Sequence, residues 1–571
     1  MAATDPPRPW LRLYPPGVPA DLPADLLPVP EMFRQAVERW PARDALVFAL
    51  RPGLERRWTY QELWDDVSHV AAGFHAAGLR KGDRLALYLP NCPEYVLSYY
   101  AALRLGLVVV QIAPLYIHLD LRTPLEDSRP KGIVTLDFLS HGLKEVLDSA
   151  ARPLIFLGRL REDVPWWARP FVNRGLRRQK HNPSPATGLP YVPFARLRRT
   201  EGTVPEVPLD LAEDVAVLQY TGGTTGTPKG AMLTHGNLAA NARQIRLWLT
   251  DYRDGEEVLL SMIPFFHVYG MTAALNAALL FGATLVTQPS APTSELIFQY
   301  VRRYRPTIFP GVPTFYADLI RLPPAQQAEL KGMRLCVSGS APLPGAVARQ
   351  FHAITGGIVV EGYGLSETSP VTHVNLLGDG ARVGSVGLPV SSTWVKVVDP
   401  EDPSKGMPCG VDGEIAVKGP QVMKGYYQRP EETRACMSDG WFLTGDLGHV
   451  DEEGFTYIVD RKKDLVLVGG FNVYPREVEE VLYTHPAVAE AAVIGIPDPR
   501  LGEVVKAFVV RKPGCAVSSE ELIALVRGRL AHFKAPREVA FVPSLPRTLV
   551  GKVLKRSLRG AASSPTPGEV A

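Results

Sequence analysis

Between Tyr220 and Gly230 the chain reads YTGGTTGTPKG, directly after the apolar run Val215 to Leu218. Glycines let a backbone turn with its N–H groups facing one point, threonine hydroxyls add donors, and Lys229 adds a cation. That set suits phosphate oxygens. The Walker pattern nevertheless requires Gly before its lysine and Ser or Thr after it, whereas here Pro228 precedes Lys229 and Gly230 follows. Taken alone, the stretch is equally well read as a Gly/Thr loop joining two elements. Other chemistry-bearing residues are scattered: His267 among Phe265, Phe266 and Tyr269, Glu367 inside EGYGLSET, Asp446 closing DGWFLTGD, and Lys552 in a Gly-Lys step near the end.

Taken together these segments are similar to the adenylate-forming superfamily, which includes acyl-CoA synthetases, firefly-type luciferases and peptide-synthetase adenylation domains. YTGGTTGTPKGAMLTH resembles its phosphate loop, PFFHVYG (Pro264 to Gly270) its aromatic-histidine motif, and EGYGLSET (Glu361 to Thr368) its adenine and magnesium motif. DGWFLTGD (Asp439 to Asp446) with VDRKKD resembles the ribose and hinge motifs, and PRTLVGK (Pro546 to Lys552) the terminal lysine motif. The phrases EGYGLSE, IVDRKKD and GGFNVYPREVEE read most like bacterial long-chain fatty acyl-CoA ligases.

The resemblance implies a two-step reaction. A carboxylate is a poor electrophile, so it first attacks the α-phosphate of ATP, and coenzyme A then attacks the resulting acyl-adenylate. Charge accumulates as two anions meet, so positioned cations and backbone donors carry the catalysis. By resemblance, Thr221, Gly222, Gly223, Thr224, Thr225, Gly226, Thr227 and Lys229 hold the β- and γ-phosphates. Glu367 holds magnesium, a hard cation that prefers oxygen. Gly362, Tyr363, Gly364 and Ser366 border adenine and the α-phosphate, with Gly339, Ser340 and Ala341 along the other side. Asp446 and Arg461 take the ribose, His267 orders the acyl and thiol entrances, and Lys552 bridges the reacting oxygens. Lys463 is the expected pivot, and Gly469 and Gly470 are presented to the thiol.

Positioning these groups needs several elements. Thr59 and Glu62 form a capping box ahead of Leu63, Val67, Val70 and Phe74, and Gly78 suits the helix end. LALYL, a helix opened by Pro93, and VVVQIA follow with short joints, which predicts a parallel α/β sheet. After Asp460 the pattern becomes helix, strand, strand, helix. The expected fold is therefore α/β. It has a Pro-rich extension over 1–30 and an adenylating domain over 31–460 with parallel sheets and a small β-barrel-like subdomain. A small mobile C-terminal α+β domain over 461–560 and a tail over 561–571 complete it.

At 571 residues the chain is too long for one core. A net charge of +3 argues against a nucleic-acid partner. Five scattered cysteines with no metal-ligand spacing point to a reduced, cytoplasmic protein, and no apolar stretch is long enough to span a membrane. Residues 166–180, WWARPFVNRGLRRQK, read first as a solvated loop insertion and second as a weak peripheral contact with an anionic membrane. The segment GNLAANARQIRLWL could line an acyl tunnel or simply pack. Rival functions are an aryl or medium-chain ligase, a ligase feeding acyl-AMP to a carrier protein, and a fatty-acid uptake or binding protein with vestigial chemistry. A homodimer is left open.

Overall fold

The computed structural model describes residues 7–114, 119–147, 153–178, 181–221, 228–290, 292–547 and 553–562. The chain divides into two compact units, one formed by residues 10–394 with 418–437, the other by 1–9, 395–417 and 438–571.

The larger unit is built on two sheets. The first has eight strands in the order Gly425–Tyr426, Lys229–Thr234, Val215–Thr221, Val108–Ile112, Arg84–Tyr88, Gly132–Leu136, Leu154–Gly158 and Val192–Pro193. From Val215–Thr221 onward all neighbours are parallel; the first two pairings are antiparallel, so that Lys229–Thr234 alone runs against the other strands. Strands such as VVVQI and GIVTL are apolar at nearly every position because helices cover both faces of a parallel sheet. The second sheet has nine strands, with a parallel centre from Ile358–Gly364 through Leu335–Ser338, Ile308–Gly311, Val258–Ser261 and Thr284–Thr287 to Asp44–Arg51. Leu260, Val286, Phe309, Tyr316 and Phe351 fill the core on one of its faces.

The expected helices form where their signals stand. Thr59 Oγ1 accepts from the Glu62 N–H at 3.2 Å while the Thr59 N–H donates to Glu62 Oε2 at 2.8 Å, opening Tyr60–Ala76. Gly78 follows at φ +91°, a left-handed conformation that costs other residues more. Pro93 opens Pro93–Arg104. The Pro-rich extension packs against the unit: Trp10 is buried, and the Tyr14 hydroxyl donates to Pro389 O at 2.6 Å.

Residues 166–178 depart from the loop expected of them. They form a short turn, Trp166–Ala168, and the helix Arg169–Arg178. Ala168, Val172 and Leu176 recur every fourth position and face inward, Ala168 and Val172 packing with Leu54 and Val164. Pro170 stands in the first turn, where its missing N–H leaves no bond unmade.

The smaller unit carries two five-stranded sheets. One is ordered Trp394–Val398, Gly413–Lys418, Trp441–Val450, Met437–Ser438, with Thr456–Arg461 also paired to Trp441–Val450. The other is ordered Phe471–Val473, Val466–Val468, Gly502–Arg511, Val488–Asp498, with Glu538–Phe541 parallel to Gly502–Arg511. Helices Pro475–Tyr483 and Ser519–Arg527 bury Val478, Leu482, Leu522 and Val526 against Val493 and Val505. Among the described residues no helix is long and apolar enough to cross a membrane.

Candidate active site

In parallel sheets flanked by helices, crevices open outside the carboxyl ends of the strands. The motif residues of the larger unit gather there. Val215–Thr221 and Lys229–Thr234 are the arms of a hairpin in which Thr221 faces Lys229 and Tyr220 faces Gly230. Thr221 Oγ1 donates to Lys229 O at 3.4 Å, and the Tyr220 hydroxyl donates to Asp127 Oδ2 at 2.6 Å. The Gly/Thr stretch is thus the connection of an anchored hairpin. Its residues Gly222, Gly223, Thr224, Thr225, Gly226 and Thr227 lie outside the described residues.

Sequence reasoning missed a residue beside this hairpin. Gly425–Tyr426 adds an edge strand to Lys229–Thr234, with Tyr426 opposite Ala231. The Tyr426 hydroxyl donates to Glu367 Oε1 at 2.7 Å, and Lys229 Nζ lies 5.3 Å from the centroid of the Tyr426 ring. Glu367 is tied again through its carbonyl, which accepts from Met423 N at 2.7 Å. Tyr426 therefore links the base of this hairpin to the acid of EGYGLSET. Burial, then the Glu367 charge, push its phenol well above the usual range, so it stays a donor. Cys436 ends the helix Pro430–Cys436 nearby. Its thiol is pushed up to about 11 by burial and by Glu367, with Lys229 pulling the other way.

Magnesium can be tested against these residues. No group of three or more His, Cys, Asp or Glu side chains gathers among the described residues, so an all-protein cage is not built there. One half-buried carboxylate held by a phenol fits the alternative, a cation shared between Glu367 and substrate phosphates.

Gly339, Ser340 and Ala341 leave the strand Leu335–Ser338, whose neighbour Ile358–Gly364 carries Gly362, Tyr363 and Gly364, with Ser366 just beyond. Ser340 sits at φ +71°, an uncommon conformation for a residue with a Cβ. A Cβ on Gly364 would come within 1.9 Å of Pro370 O, so only glycine lets these backbones meet. The Tyr363 ring lies 5.8 Å from His373, which is fully buried; burial pulls its pKa down to about 3. Tyr269, beside Gly339, places its hydroxyl 2.7 Å from Val337 O. His267 occupies the turn before the π-helical segment Tyr269–Asn276, its Nδ1 accepting from Tyr269 N at 3.2 Å. Gln219 Nε2 donates to Phe266 O at 3.1 Å, tying this turn to the strand that ends at Thr221.

The smaller unit holds the remaining motif residues. Asp446 faces Arg461 across paired strands, and Arg461 Nε lies 3.1 Å from Asp446 Oδ1. A cavity of about 250 Å³ is lined by Thr444, Gly445, Asp446, Arg461, Lys462 and Lys463. Lys462 is drawn off toward Glu414 Oε2 at 3.2 Å. On either side of the turn Lys462–Asp464, Arg476 N donates to Asp460 Oδ2 at 2.9 Å and Arg559 Nη2 to Asp464 Oδ1 at 3.0 Å. Gly469 and Gly470 stand apart, as the two-residue tip of a hairpin in which Val468 faces Phe471. Their φ values of +58° and +87° are those a tight hairpin turn demands. Lys552 lies outside the described residues.

Residues 33–427 match the family model described as AMP-binding enzyme, and residues 477–552 match AMP-binding enzyme C-terminal domain. The chain belongs to the AMP-binding enzyme family. It is 41% identical over 555 residues to a long-chain-fatty-acid–CoA ligase of Bacillus subtilis, covering 96% of this chain and 97% of that one. It is 38% identical over 533 residues to a feruloyl-CoA synthase of Amycolatopsis, covering 92% and 99%. The crystal structure of ATP-bound MatB from Rhodopseudomonas palustris superposes with a TM-score of 0.78 at 33% identity, covering 94% of this chain and 99% of that chain.

Proposed function

We propose that the protein is an ATP-dependent fatty acid–CoA ligase that favours long-chain acids, forming acyl-AMP and then acyl-CoA. The observation that carries this reading is the 41% identity to a long-chain-fatty-acid–CoA ligase across nearly the full length of both chains. The Lys229–Tyr426–Glu367 arrangement at the phosphate hairpin supports the nucleotide chemistry.

In this reading the backbone and hydroxyl donors from Thr221 to Thr227, with Lys229, hold the β- and γ-phosphates. Magnesium, when bound, spreads the phosphate charge, and Glu367 is its protein ligand. Tyr363 stacks on adenine, Gly339, Ser340, Ala341, Gly362 and Gly364 border it, and Ser366 reaches the α-phosphate. Asp446 accepts the vicinal ribose hydroxyls, with Arg461 beside it. Lys552 offsets the charge that builds as the carboxylate meets the α-phosphate. His267 orders the entrances for acyl chain and thiol. We place the functional boundary between 460 and 461, with Lys463 as pivot. Lys552 then withdraws after adenylation and Gly469 and Gly470 line the thiol path. All five cysteines are free, which supports a reducing, cytoplasmic setting.

A second reading, an aryl-CoA ligase, is favoured by the 38% identity to feruloyl-CoA synthase. One assay separates the two: coenzyme A-dependent AMP release with fatty acids of increasing chain length and ferulate alongside. The proposal expects the highest kcat/KM with long acyl chains. Higher turnover of ferulate would replace it with the second reading, and AMP release independent of coenzyme A would overturn both.

A further inference from the structure

The helix Arg169–Arg178 takes no part in the chemistry above, yet it and the turn Trp166–Ala168 before it display three exposed aromatics. Trp166, Trp167 and Phe171 are 78%, 55% and 62% exposed. Large aromatics are normally spent on cores, and this helix has a core face of its own. Ala168, Val172 and Leu176 already anchor it to the larger unit, so the outward aromatics are left over from packing.

The charges around them share one sign. Arg169, Arg174, Arg177 and Arg178 are exposed, and none pairs with a carboxylate among the described residues. No acid occurs from 164 to 178. The two acids just before are neutralised within the unit. Asp163 is buried and accepts from Arg56 and Arg198, each at 2.8 Å, and Glu162 lies 3.6 Å from Arg159. Tryptophan and phenylalanine at the tip with arginines around them match the headgroup layer of a bilayer, where aromatic rings sit at the apolar boundary and guanidinium groups meet phosphates. A second copy of the chain is a poorer occupant, since a two-fold contact would set this patch against itself and bring eight arginines together.

We propose that Trp166, Trp167, Phe171 and the four arginines form a docking surface for an anionic phospholipid bilayer. The binding is reversible and electrostatically assisted, each arginine near such a surface contributing about fivefold in partitioning. A consequence that rests on the ligase reading is that acids dissolved in the bilayer reach the enzyme from a docked state.

The test uses the full chain and vesicles of phosphatidylcholine with or without phosphatidylglycerol. The wild type is expected to co-sediment with the anionic vesicles at low salt and to be released as salt rises. The triple variants Trp166→Ala/Trp167→Ala/Phe171→Ala and Arg174→Glu/Arg177→Glu/Arg178→Glu should each lose at least tenfold in binding. Both should keep wild-type turnover of a water-soluble carboxylate, which reports folding. Turnover of a long-chain acid presented in anionic vesicles should fall in both. Sedimentation that does not depend on phosphatidylglycerol, or that survives both sets of substitutions, overturns the proposal. So does loss of a dimer in the variants with vesicle binding unchanged, or preferential capture of the wild type by RNA over vesicles. Failure of the ligase assay alone leaves the sedimentation result standing and overturns only the delivery step.

Discussion

The hydroxyl of Tyr426 touches the one carboxylate proposed to meet magnesium, and its ring lies beneath Lys229. Removing the hydroxyl separates these two contacts. Tyr426→Phe keeps a ring for Lys229 but frees Glu367 Oε1 to rotate, and a hydrogen bond to a charged group contributes ~1.5–3 kcal/mol. Part of that returns through water or phosphate, so adenylate formation should slow about tenfold, with more magnesium needed for half-maximal rate. A magnesium titration at saturating ATP checks this. An unchanged titration midpoint would show that Tyr426 is only a packing residue. Glu367 was legible from the order of motifs, whereas Tyr426 was not. KGYYQRP reads as a turn before a proline-led helix, and the importance of its first tyrosine arises only when Gly425–Tyr426 pairs with Lys229–Thr234.

At the level of elements, the strong local signals survived into the fold. The capping box at Thr59 and Glu62, the proline at the start of Pro93–Arg104 and the apolar run that forms Val108–Ile112 each act within a few residues, so no distant partner can override them. The helix Arg169–Arg178 was obscured by Pro170, Gly175 and its charge, and is held by Ala168 and Val172 packing with Leu54, on a strand far away in sequence. The paired glycines show a different limit. Gly469 and Gly470 suggest a close approach to substrate, yet the hairpin turn alone already requires them. The turn Lys462–Asp464 is where an element can be tested directly, because a backbone hydrogen bond to Asp460 and an ion pair to Asp464 bracket Lys463. Proline fixes φ and removes a donor, so Lys463→Pro should slow thioester formation roughly tenfold or more while changing adenylate formation little, as for other rate-limiting domain motions. Lys552→Ala should do the reverse, sparing thioester formation from supplied acyl-adenylate. Single-turnover rates for each half-reaction decide, and equal losses in both steps for both variants would dissolve the proposed division of labour.

For the molecule as a whole, the buried ionisable groups set the pH range over which the larger unit holds together. Burial depresses the pKa of His235 to about 4 and of His373 to about 3, against an ordinary value of 6.5. Both are neutral when folded and bind protons more readily when unfolded. Their contribution to stability is complete above pH 6.5 and is lost as pH falls from there toward the folded values. Glu94 acts in the opposite sense. It lies in the first turn of Pro93–Arg104, fully buried, with Oε2 lacking a hydrogen-bond partner and with Gly158 so close that a Cβ there would meet its Oε1 at 2.6 Å. Burial and then the charge of Asp163 push its carboxyl upward, against a weaker pull from Arg198. A carboxyl raised above its unfolded value of 4.5 gives its full contribution below that pH and loses it as pH rises through the folded value. Glu94→Gln keeps the shape of the protonated side chain and removes the titration. The variant should therefore gain little at about pH 5 and progressively more toward about pH 9, of order 2 kcal/mol at the alkaline end. On the acid side its melting temperature should fall together with that of the wild type between about pH 6 and 4, because the histidines are untouched. Melting temperatures of the two proteins across this range give the comparison. A constant offset at every pH would mean that Glu94 stays charged inside the fold and that Arg198, not burial, governs it.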